Sequence, residues 1–309
     1  MTKIATREAY GKALVKLGKI NDNVVVLDAD LSKSTKTNDF LKAYPNRFFN
    51  MGIAEQNLVG AACGLATAGK IPFASTFAMF ATGRAFEVIR NSVCYPKLNV
   101  KIAATHAGIT VGEDGGSHQS VEDISLMRSI PNMTVLVPAD GMEAEKMIFA
   151  AAEFDGPMYI RLGRSAVPTI FEEDYNFEIG KGTVLRDGND VTIIACGIMV
   201  NEALKASDIL KEQNINARVI NMSTIKPIDT ELILKAAKET KAIITAEEHS
   251  IIGGLGSAVS EVVSEEYPVV VKKVGVKDVF GESGTPAELL EKHGLTAKHI
   301  AKSVKEALK

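Results

Sequence analysis

The chain has 309 residues, of which 46% are hydrophobic and 24% are charged. This is a globular composition, and it excludes disordered, collagen-like and coiled-coil proteins. The 35 lysines and arginines against 38 acidic residues leave a net charge of −3, without a basic run that would follow a phosphate backbone. We therefore expect no nucleic-acid partner, and the length predicts two domains.

Strand and helix patterns alternate along both halves of the chain. The first segment predicts a helix capped by Thr6, with Ala9, Leu14 and Leu17 on its apolar face. In the first half, the predicted strands are 24–28, 71–75, 100–105, 134–137 and 158–162, and the predicted helices are 54–68, 79–92 and 142–152. In the second half, the predicted strands are 191–195, 217–221, 242–246 and 269–274, and the predicted helices are 200–212, 230–237, 256–264 and one that a capping box of Thr285 and Glu288 begins.

The alternation of continuous apolar strands with helices determines the fold class that we expect. Such strands are buried on both faces, as in parallel sheets covered by helices. We predict two α/β domains, each a mostly parallel sheet flanked by helices. A segment rich in proline, glycine and acidic residues separates the halves, so the predicted domains are 1–165 and 188–309, with a linker at 166–187.

The cysteines and the uncharged stretches indicate the compartment. Cys63, Cys94 and Cys196 lie in apolar contexts without C-x-x-C spacing, which is typical of reduced core thiols in a cytoplasmic protein. The longest uncharged stretches are too short for a membrane span, so we expect no membrane partner.

Several polar residues lie where such folds place functional groups. His106 ends an apolar strand, and open α/β sheets bind ligands at that edge. The GEDGGSHQ loop (residues 112–119) holds carboxylates and an imidazole, which by themselves suit a weak metal site or a polar glycine loop. Glu55 opens an apolar helix, where a carboxylate is favoured by the helix dipole. Phe77 and Phe80 suit core packing, and the glycines at 253–256 indicate close packing of a strand against a helix.

These motifs occur together in an order that resembles a known family. The segments are Asp30-Leu31, GIAEQ, STFAMF, ATHAGITVGEDGGSHQ, IPNMTVLVPAD and DGPMYIRLGR. They resemble the pyrimidine-binding domain of transketolase, and the rest of the chain resembles its C-terminal domain. Full-length transketolases begin with another domain, whose GDG motif and downstream asparagine hold Mg²⁺ and the cofactor diphosphate. Because this sequence has no GDG motif, it resembles the second subunit of a split transketolase.

The resemblance implies an activity, a cofactor and a partner. Transketolases use thiamine diphosphate to move a two-carbon glycolaldehyde unit from a ketose phosphate, such as xylulose 5-phosphate, to an aldose phosphate, such as ribose 5-phosphate, in the pentose phosphate pathway. The Mg²⁺ or Ca²⁺ ion would be held mainly by an N-terminal transketolase subunit that carries the GDG domain. Two copies of each subunit would form a heterotetramer, and this chain alone should be inactive.

The resemblance also implies roles for individual residues. Glu55 would bind the cofactor's aminopyrimidine and promote its imino tautomer, with Phe77 and Phe80 around the ring. The remaining implied assignments are Asp30 to the cofactor, Arg7, Ser34 and Arg164 to the sugar phosphate, His106 beside that phosphate, and Asp114 and His118 to the ketose hydroxyls, with Glu55, His106 and His118 as the catalytic residues. Gly83, followed by Arg84, stands where transketolases usually carry a tyrosine.

Three alternatives stay open. The beta subunit of a 2-oxoacid dehydrogenase has the same two-domain layout, but it typically lacks the GEDG-x-x-H loop and the ATH strand end. Deoxyxylulose phosphate synthase shares the STF motif and a related loop, but it is normally one uninterrupted chain. The third alternative is a non-catalytic scaffold descended from the enzyme, and the retained Glu55, His106 and His118 argue against it.

Overall fold

In the computed structural model, which describes residues 3–309, most strands belong to one of two sheets. The strands are β1 Lys3–Ala5, β2 Val24–Asp28, β3 Phe48–Asn50, β4 Ile71–Phe77, β5 Lys101–Thr105, β6 Thr134–Leu136, β7 Met158–Arg161, β8 Ala166–Pro168, β9 Thr183–Arg186, β10 Val191–Ala195, β11 Ala217–Asn221, β12 Thr224–Lys226, β13 Ala242–Ser250 and β14 Val270–Val276. The helices are α1 Thr6–Ile20, α2 Ser32–Thr35, α3 Asn38–Ala43, α4 Glu55–Thr67, α5 Phe86–Val88, α6 Asp123–Ser129, α7 Gly141–Glu153, α8 Met199–Lys211, α9 Thr230–Glu239, α10 Leu255–Glu266, α11 Pro286–Lys292 and α12 Ala297–Ala307.

The larger sheet has seven strands in the order β12-β6-β7-β5-β4-β2-β3. Its strands run parallel except β12, which pairs antiparallel with β6. Every residue of β2, β5 and β7 is buried, as expected for parallel strands covered on both faces. Because β12 comes from the second half of the chain, the two halves share this sheet.

The smaller sheet has five strands in the order β14-β13-β10-β11-β9, with β9 antiparallel at one edge. The α/β fold class, with helices flanking a mostly parallel sheet in each domain, is confirmed. The segment 166–187, predicted as a linker, carries a strand near each end: β8 pairs with β1, and β9 pairs with β11. The domain limits 1–165 and 188–309 stay a prediction.

The predicted elements agree with the structure where apolar runs are continuous. Strands β2, β10 and β11 have the predicted limits, and the Thr285–Glu288 capping box begins α11. The single helix predicted over 79–92 is wrong in form, because two π-helical turns, Phe80–Arg84 and Ile89–Cys94, flank the short α5. Thr6 is not an N-cap: it is the first residue of α1, and its hydroxyl accepts the Gly163 N–H at 2.8 Å.

The glycine cluster at 253–256 packs closely against β13, as predicted. A Cβ atom at Gly254 would lie 2.0 Å from Oε2 of Glu247, a distance that no side chain tolerates. The Leu255 and Gly256 N–H groups, at the start of α10, donate to the buried Glu247 carboxylate at 2.7 and 2.8 Å. The chain's own carboxylate therefore satisfies this helix N-terminus.

The cysteines and helices agree with the expected environment. Cys63, Cys94 and Cys196 are free and buried, which confirms that they are core thiols. Within residues 3–309, none of the helices combines the length and the apolar character needed to cross a membrane.

A buried arginine, Arg161, forms an ion pair within the first domain and a hydrogen bond to the second. Arg161 at the end of β7 donates to both carboxylate oxygens of Asp123, at 2.7 and 3.1 Å, and to the Glu248 carbonyl of β13 at 2.9 Å. The Tyr159 hydroxyl donates to the same carboxylate at 2.6 Å. Burial, the largest single cause, favours the neutral acid, but the charges of Arg161 and His249 and the hydrogen bonds from Arg161 and Tyr159 together outweigh it and lower the pKa of Asp123.

We expect Arg161→Met to destabilise the protein by about 3–5 kcal/mol, because it leaves the Asp123 carboxylate buried without its counter-charge. The measurement is the free energy of unfolding in urea. The matched control is the double variant Arg161→Met/Asp123→Leu, which removes both charges and should be less destabilised than the single variant. If Arg161→Met lowers the free energy of unfolding by less than about 1 kcal/mol, the Arg161–Asp123 pair contributes no more than an exposed ion pair.

Candidate active site

The polar residues singled out from the sequence meet at one edge of the seven-stranded sheet. Phe77 is the last residue of β4, and His106 directly follows β5. Asp30 follows β2, and Arg164 follows β7. The carboxyl ends of parallel strands all lie at this edge, where open α/β sheets bind ligands. His106 and Asp30 also have left-handed backbones, with φ of 56° and 64°, a strained conformation that is concentrated at functional sites.

Four aromatic rings form a continuous cluster at this edge. The Phe77 ring stacks on Phe80 with centroids 6.0 Å apart and on His106 with centroids 3.9 Å apart. His118 meets Phe80 edge-on at 5.4 Å. Phe80 lies beside Phe77 because the chain turns after β4 into the π-helical turn Phe80–Arg84. Such turns are frequent at functional sites. The two predicted pocket phenylalanines therefore contact both predicted histidines.

Glu55 lies at the N-terminus of α4, and its side chain is only 2% exposed. The partner that the structure shows for this buried carboxylate is Arg84, whose Nη1 lies 3.1 Å from Oε2. The Arg84 guanidinium lies 5.1 Å above the Phe80 ring, so the carboxylate and the aromatic cluster are neighbours. Arg84, which the sequence analysis noted only as the successor of Gly83, is thus part of the site.

His106 is held as a neutral imidazole. Burial is the largest cause that lowers its pKa, to about 3, and the positive charges of Arg7 and Arg164 lower it further. Nε2 lies 3.3 Å from Nη1 of Arg7, which can only donate, so Nε2 is the acceptor and Nδ1 carries the proton. Nδ1 then donates to the Thr105 hydroxyl at 2.8 Å.

Arg7 also connects this histidine to the loop after β2. Its Nη1 donates to the Ser34 carbonyl at 2.7 Å. The loop is shaped by Asp28, whose buried carboxylate accepts the Thr35 and Thr37 hydroxyls at 2.7 and 2.9 Å. Sequence analysis missed Asp28, although an acid at the end of an apolar strand is a signal that could have identified it.

Arg164 reaches the GEDGGSHQ loop from the end of β7. Its Nη1 donates to the Val111 carbonyl and lies 3.2 Å from a carboxylate oxygen of Glu113. Asp114 is exposed on this loop, and Nδ1 of His118 lies 3.0 Å from the Ser117 hydroxyl. Arg164 therefore contacts the GEDGGSHQ loop and also lies near His106 and Arg7.

Comparison with known proteins defines the family. The chain matches the family model of the transketolase pyrimidine binding domain over residues 2–169 and that of the transketolase C-terminal domain over residues 180–300. The chain belongs to the transketolase family. The resemblance of the sequence motifs to transketolase is thereby confirmed. It covers the pyrimidine-binding and C-terminal domains of this family. Members of the family depend on thiamine diphosphate.

Individual relatives refine this likeness. A protein named as a transketolase C-terminal section, from Methanocaldococcus jannaschii, is 55% identical over 306 residues, 98% of this chain and 96% of that protein. A 6-deoxy-6-sulfo-D-fructose transketolase subunit of Clostridium sp. is 45% identical over 300 residues, 97% of this chain and 93% of that protein. A split-gene transketolase solved as an inactive beta4 tetramer is 64% identical with a TM-score of 0.93, covering 99% of this chain and 98% of that chain.

The residues at the sheet edge fit one part of thiamine diphosphate. A buried carboxylate beside two stacked phenylalanines matches an aromatic heterocycle that offers a ring nitrogen. Among residues 3–309, no group of three or more His, Cys, Asp or Glu side chains is arranged to hold a metal ion.

Proposed function

We propose that this chain is the pyrimidine-binding subunit of a two-subunit transketolase. It transfers a glycolaldehyde unit from a ketose phosphate such as xylulose 5-phosphate to an aldose phosphate such as ribose 5-phosphate. The observation that carries the proposal is the convergence of a buried carboxylate, an aromatic cluster and two arginines at one sheet edge.

Glu55, Phe77 and Phe80 would hold the aminopyrimidine, with Asp30 at the neighbouring strand end. Thiamine diphosphate supplies, when bound, the carbon nucleophile that takes up the two-carbon unit. The Glu55 carboxylate would share a proton with the ring nitrogen, and the aromatic wall would keep water from that proton. The Arg84 guanidinium, 54% exposed, is the group that the ring nitrogen would displace from Oε2.

The sugar phosphate would bind between Arg7 and Arg164, with the Ser34 segment and His106 beside it. A guanidinium binds a phosphate through two parallel hydrogen bonds, and both arginines lie close enough to His106 to lower its pKa. Being neutral, His106 accepts the Arg7 N–H at Nε2 and would so orient this guanidinium beside the phosphate. Asp114 and His118 would contact the ketose hydroxyls from the GEDGGSHQ loop.

The Clostridium relative is named for a sulfonated ketose, so such a sugar is a second candidate substrate for this chain. Two arginines favour a phosphate monoester, which is close to a dianion at pH 7, over a sulfonate, which carries one charge. Kinetics with xylulose 5-phosphate and 6-deoxy-6-sulfofructose would separate the two, and we expect the larger kcat/KM for the phosphate.

The diphosphate and its Mg²⁺ or Ca²⁺ ion would be held by an N-terminal partner subunit with a GDG motif, in a heterotetramer with two copies of each chain. The split-gene relative that is inactive as a beta4 tetramer supports this requirement. The test is transketolase activity of this chain alone, of the partner alone and of the mixture. Activity of the mixture only is expected. A stable complex without activity would favour the scaffold alternative.

We expect the isolated chain to bind thiamine diphosphate weakly, because the aromatic cluster and Glu55 contact only the pyrimidine end. The diphosphate normally binds through the metal ion, for which the sequence has no GDG motif. Isothermal titration calorimetry with and without Mg²⁺ measures this. Micromolar, Mg²⁺-dependent binding to the isolated chain would contradict the two-subunit proposal.

A further inference from the structure

The GEDGGSHQ loop is fastened from the C-terminal domain. Residues 281–286, which we call the clasp segment, lie directly on this loop. Nε2 of Gln119 donates to the Glu282 carbonyl at 2.8 Å, and the Ser283 hydroxyl donates to the Glu113 carbonyl at 2.7 Å. One hydrogen bond therefore connects the clasp segment to each end of residues 113–119, the stretch that contains Asp114 and His118.

The two backbones are in close contact, without room for side chains between them. A Cβ atom at Gly116 would lie 2.5 Å from the Gly281 carbonyl oxygen, and one at Gly281 would lie 1.8 Å from Oε1 of Gln119. Gly112, with φ of 84°, lies against Gly284 and Pro286. Glycine on both sides thus permits an approach that any other residue would prevent.

Gln119 organises the loop from inside. Its side chain is 2% exposed, and its Nε2 also lies 3.2 Å from the Ile109 carbonyl and 3.1 Å from the Gly112 carbonyl. The same amide group therefore connects the start of the loop, its end and the clasp segment. Loss of these hydrogen bonds would therefore separate the loop from the clasp segment.

The clasp segment is itself anchored. Thr285 and Glu288 form the capping box that begins α11. Lys292, in the last turn of that helix, pairs with the Glu282 carboxylate at 2.6 Å. The segment is consequently connected at both ends to one helix of the C-terminal domain, by the capping box and by a surface ion pair.

We propose that Gln119 and Ser283 are positioning residues that set where Asp114 and His118 meet the ketose hydroxyls, so that the C-terminal domain contributes to reading the stereochemistry of the ketose. This inference rests on the proposed function. Asp114 directly follows Glu113, whose carbonyl the clasp segment holds, and His118 directly precedes Gln119. A small displacement of these side chains weakens selection between epimers more than it weakens binding of the sugar phosphate.

The first test uses hydrogen–deuterium exchange of the isolated chain and does not depend on activity. In Ser283→Ala, amide exchange of residues 112–119 should become about 2- to 10-fold faster, the range expected for the loss of one neutral hydrogen bond. Ser283→Thr keeps the hydroxyl and should restore slow exchange. Ser264→Ala is the control, because Ser264 donates within α10 to the Glu261 carbonyl.

The second test measures epimer selection by the reconstituted enzyme. The ratio of kcat/KM for xylulose 5-phosphate to that for its C3 epimer ribulose 5-phosphate should fall several-fold in Ser283→Ala and in Gln119→Leu, and stay unchanged in Ser264→Ala. Ser283→Ala keeps the test valid if Gln119→Leu does not fold. A general loss of folded enzyme lowers both rates equally and leaves this ratio unchanged.

The outcomes separate the inference from the function on which it rests. Unchanged exchange in Ser283→Ala overturns the clasp, and faster exchange with an unchanged epimer ratio overturns the positioning role. If the wild-type mixture transfers no two-carbon unit, the proposed function fails, and the exchange result alone decides whether the clasp segment holds the loop.

Discussion

Glu55→Gln is expected to lower kcat of the reconstituted enzyme about 100- to 10 000-fold, the range of a lost proton-transfer group. The amide has nearly the same shape as the carboxylate, and its oxygen can still accept the Arg84 hydrogen bond, so the fold should persist. What is lost is the acid that shares a proton with the pyrimidine nitrogen. The direct measurement is NMR-detected exchange of the thiazolium proton of the bound cofactor.

Two further observations make this result specific. Glu265→Gln changes an exposed glutamate of α10 in the same way and should leave exchange and kcat unchanged. The unfolding free energy of Glu55→Gln should be close to that of the wild type. Thiazolium exchange at the wild-type rate would show that Glu55 does not promote the tautomer, and its role would then be limited to the ion pair with Arg84.

Arg164→Ala is expected to raise KM for phosphorylated sugars about 10- to 100-fold while changing kcat much less. A charge-assisted hydrogen bond of about 1.5–3 kcal/mol corresponds to this range of affinity, and it is lost equally from the ground state and the transition state. Hydroxypyruvate, which has no phosphate, should be used almost as well as by the wild type. Steady-state kinetics with both substrates provides the measurement.

The structure shows why the unphosphorylated substrate is essential in this experiment. Arg164 also contacts the Val111 carbonyl and Glu113, so its removal could loosen the GEDGGSHQ loop instead. Equal losses with xylulose 5-phosphate and hydroxypyruvate would indicate that structural role and would exclude phosphate binding. Arg186→Ala, on β9 of the smaller sheet, removes an ion pair with Asp208 of α8 and is the matched control.

The sequence by itself determined the elements whose signals are local. Strands β2, β10 and β11 were predicted to the residue because apolar runs bounded by polar residues are visible without the fold. The order of the GIAE, STF and GEDG-x-x-H motifs was enough to identify the family. His106 was also recognisable, since it follows a predicted strand, whereas Phe77 and Arg164 were singled out only through the resemblance.

The tertiary structure decided what depends on neighbours distant in sequence. Strand β12 crosses to the other domain's sheet, a pairing between residues 224–226 and 135–136 that no local pattern encodes. The neutral state of His106 results from burial and from arginines at positions 7 and 164, because a pKa depends on the charges that folding brings close. The clasp segment contacts the GEDGGSHQ loop more than 160 residues away in the chain. Such contacts require the whole fold, since backbone approach and side-chain pairing are properties of packed surfaces rather than of periodicity.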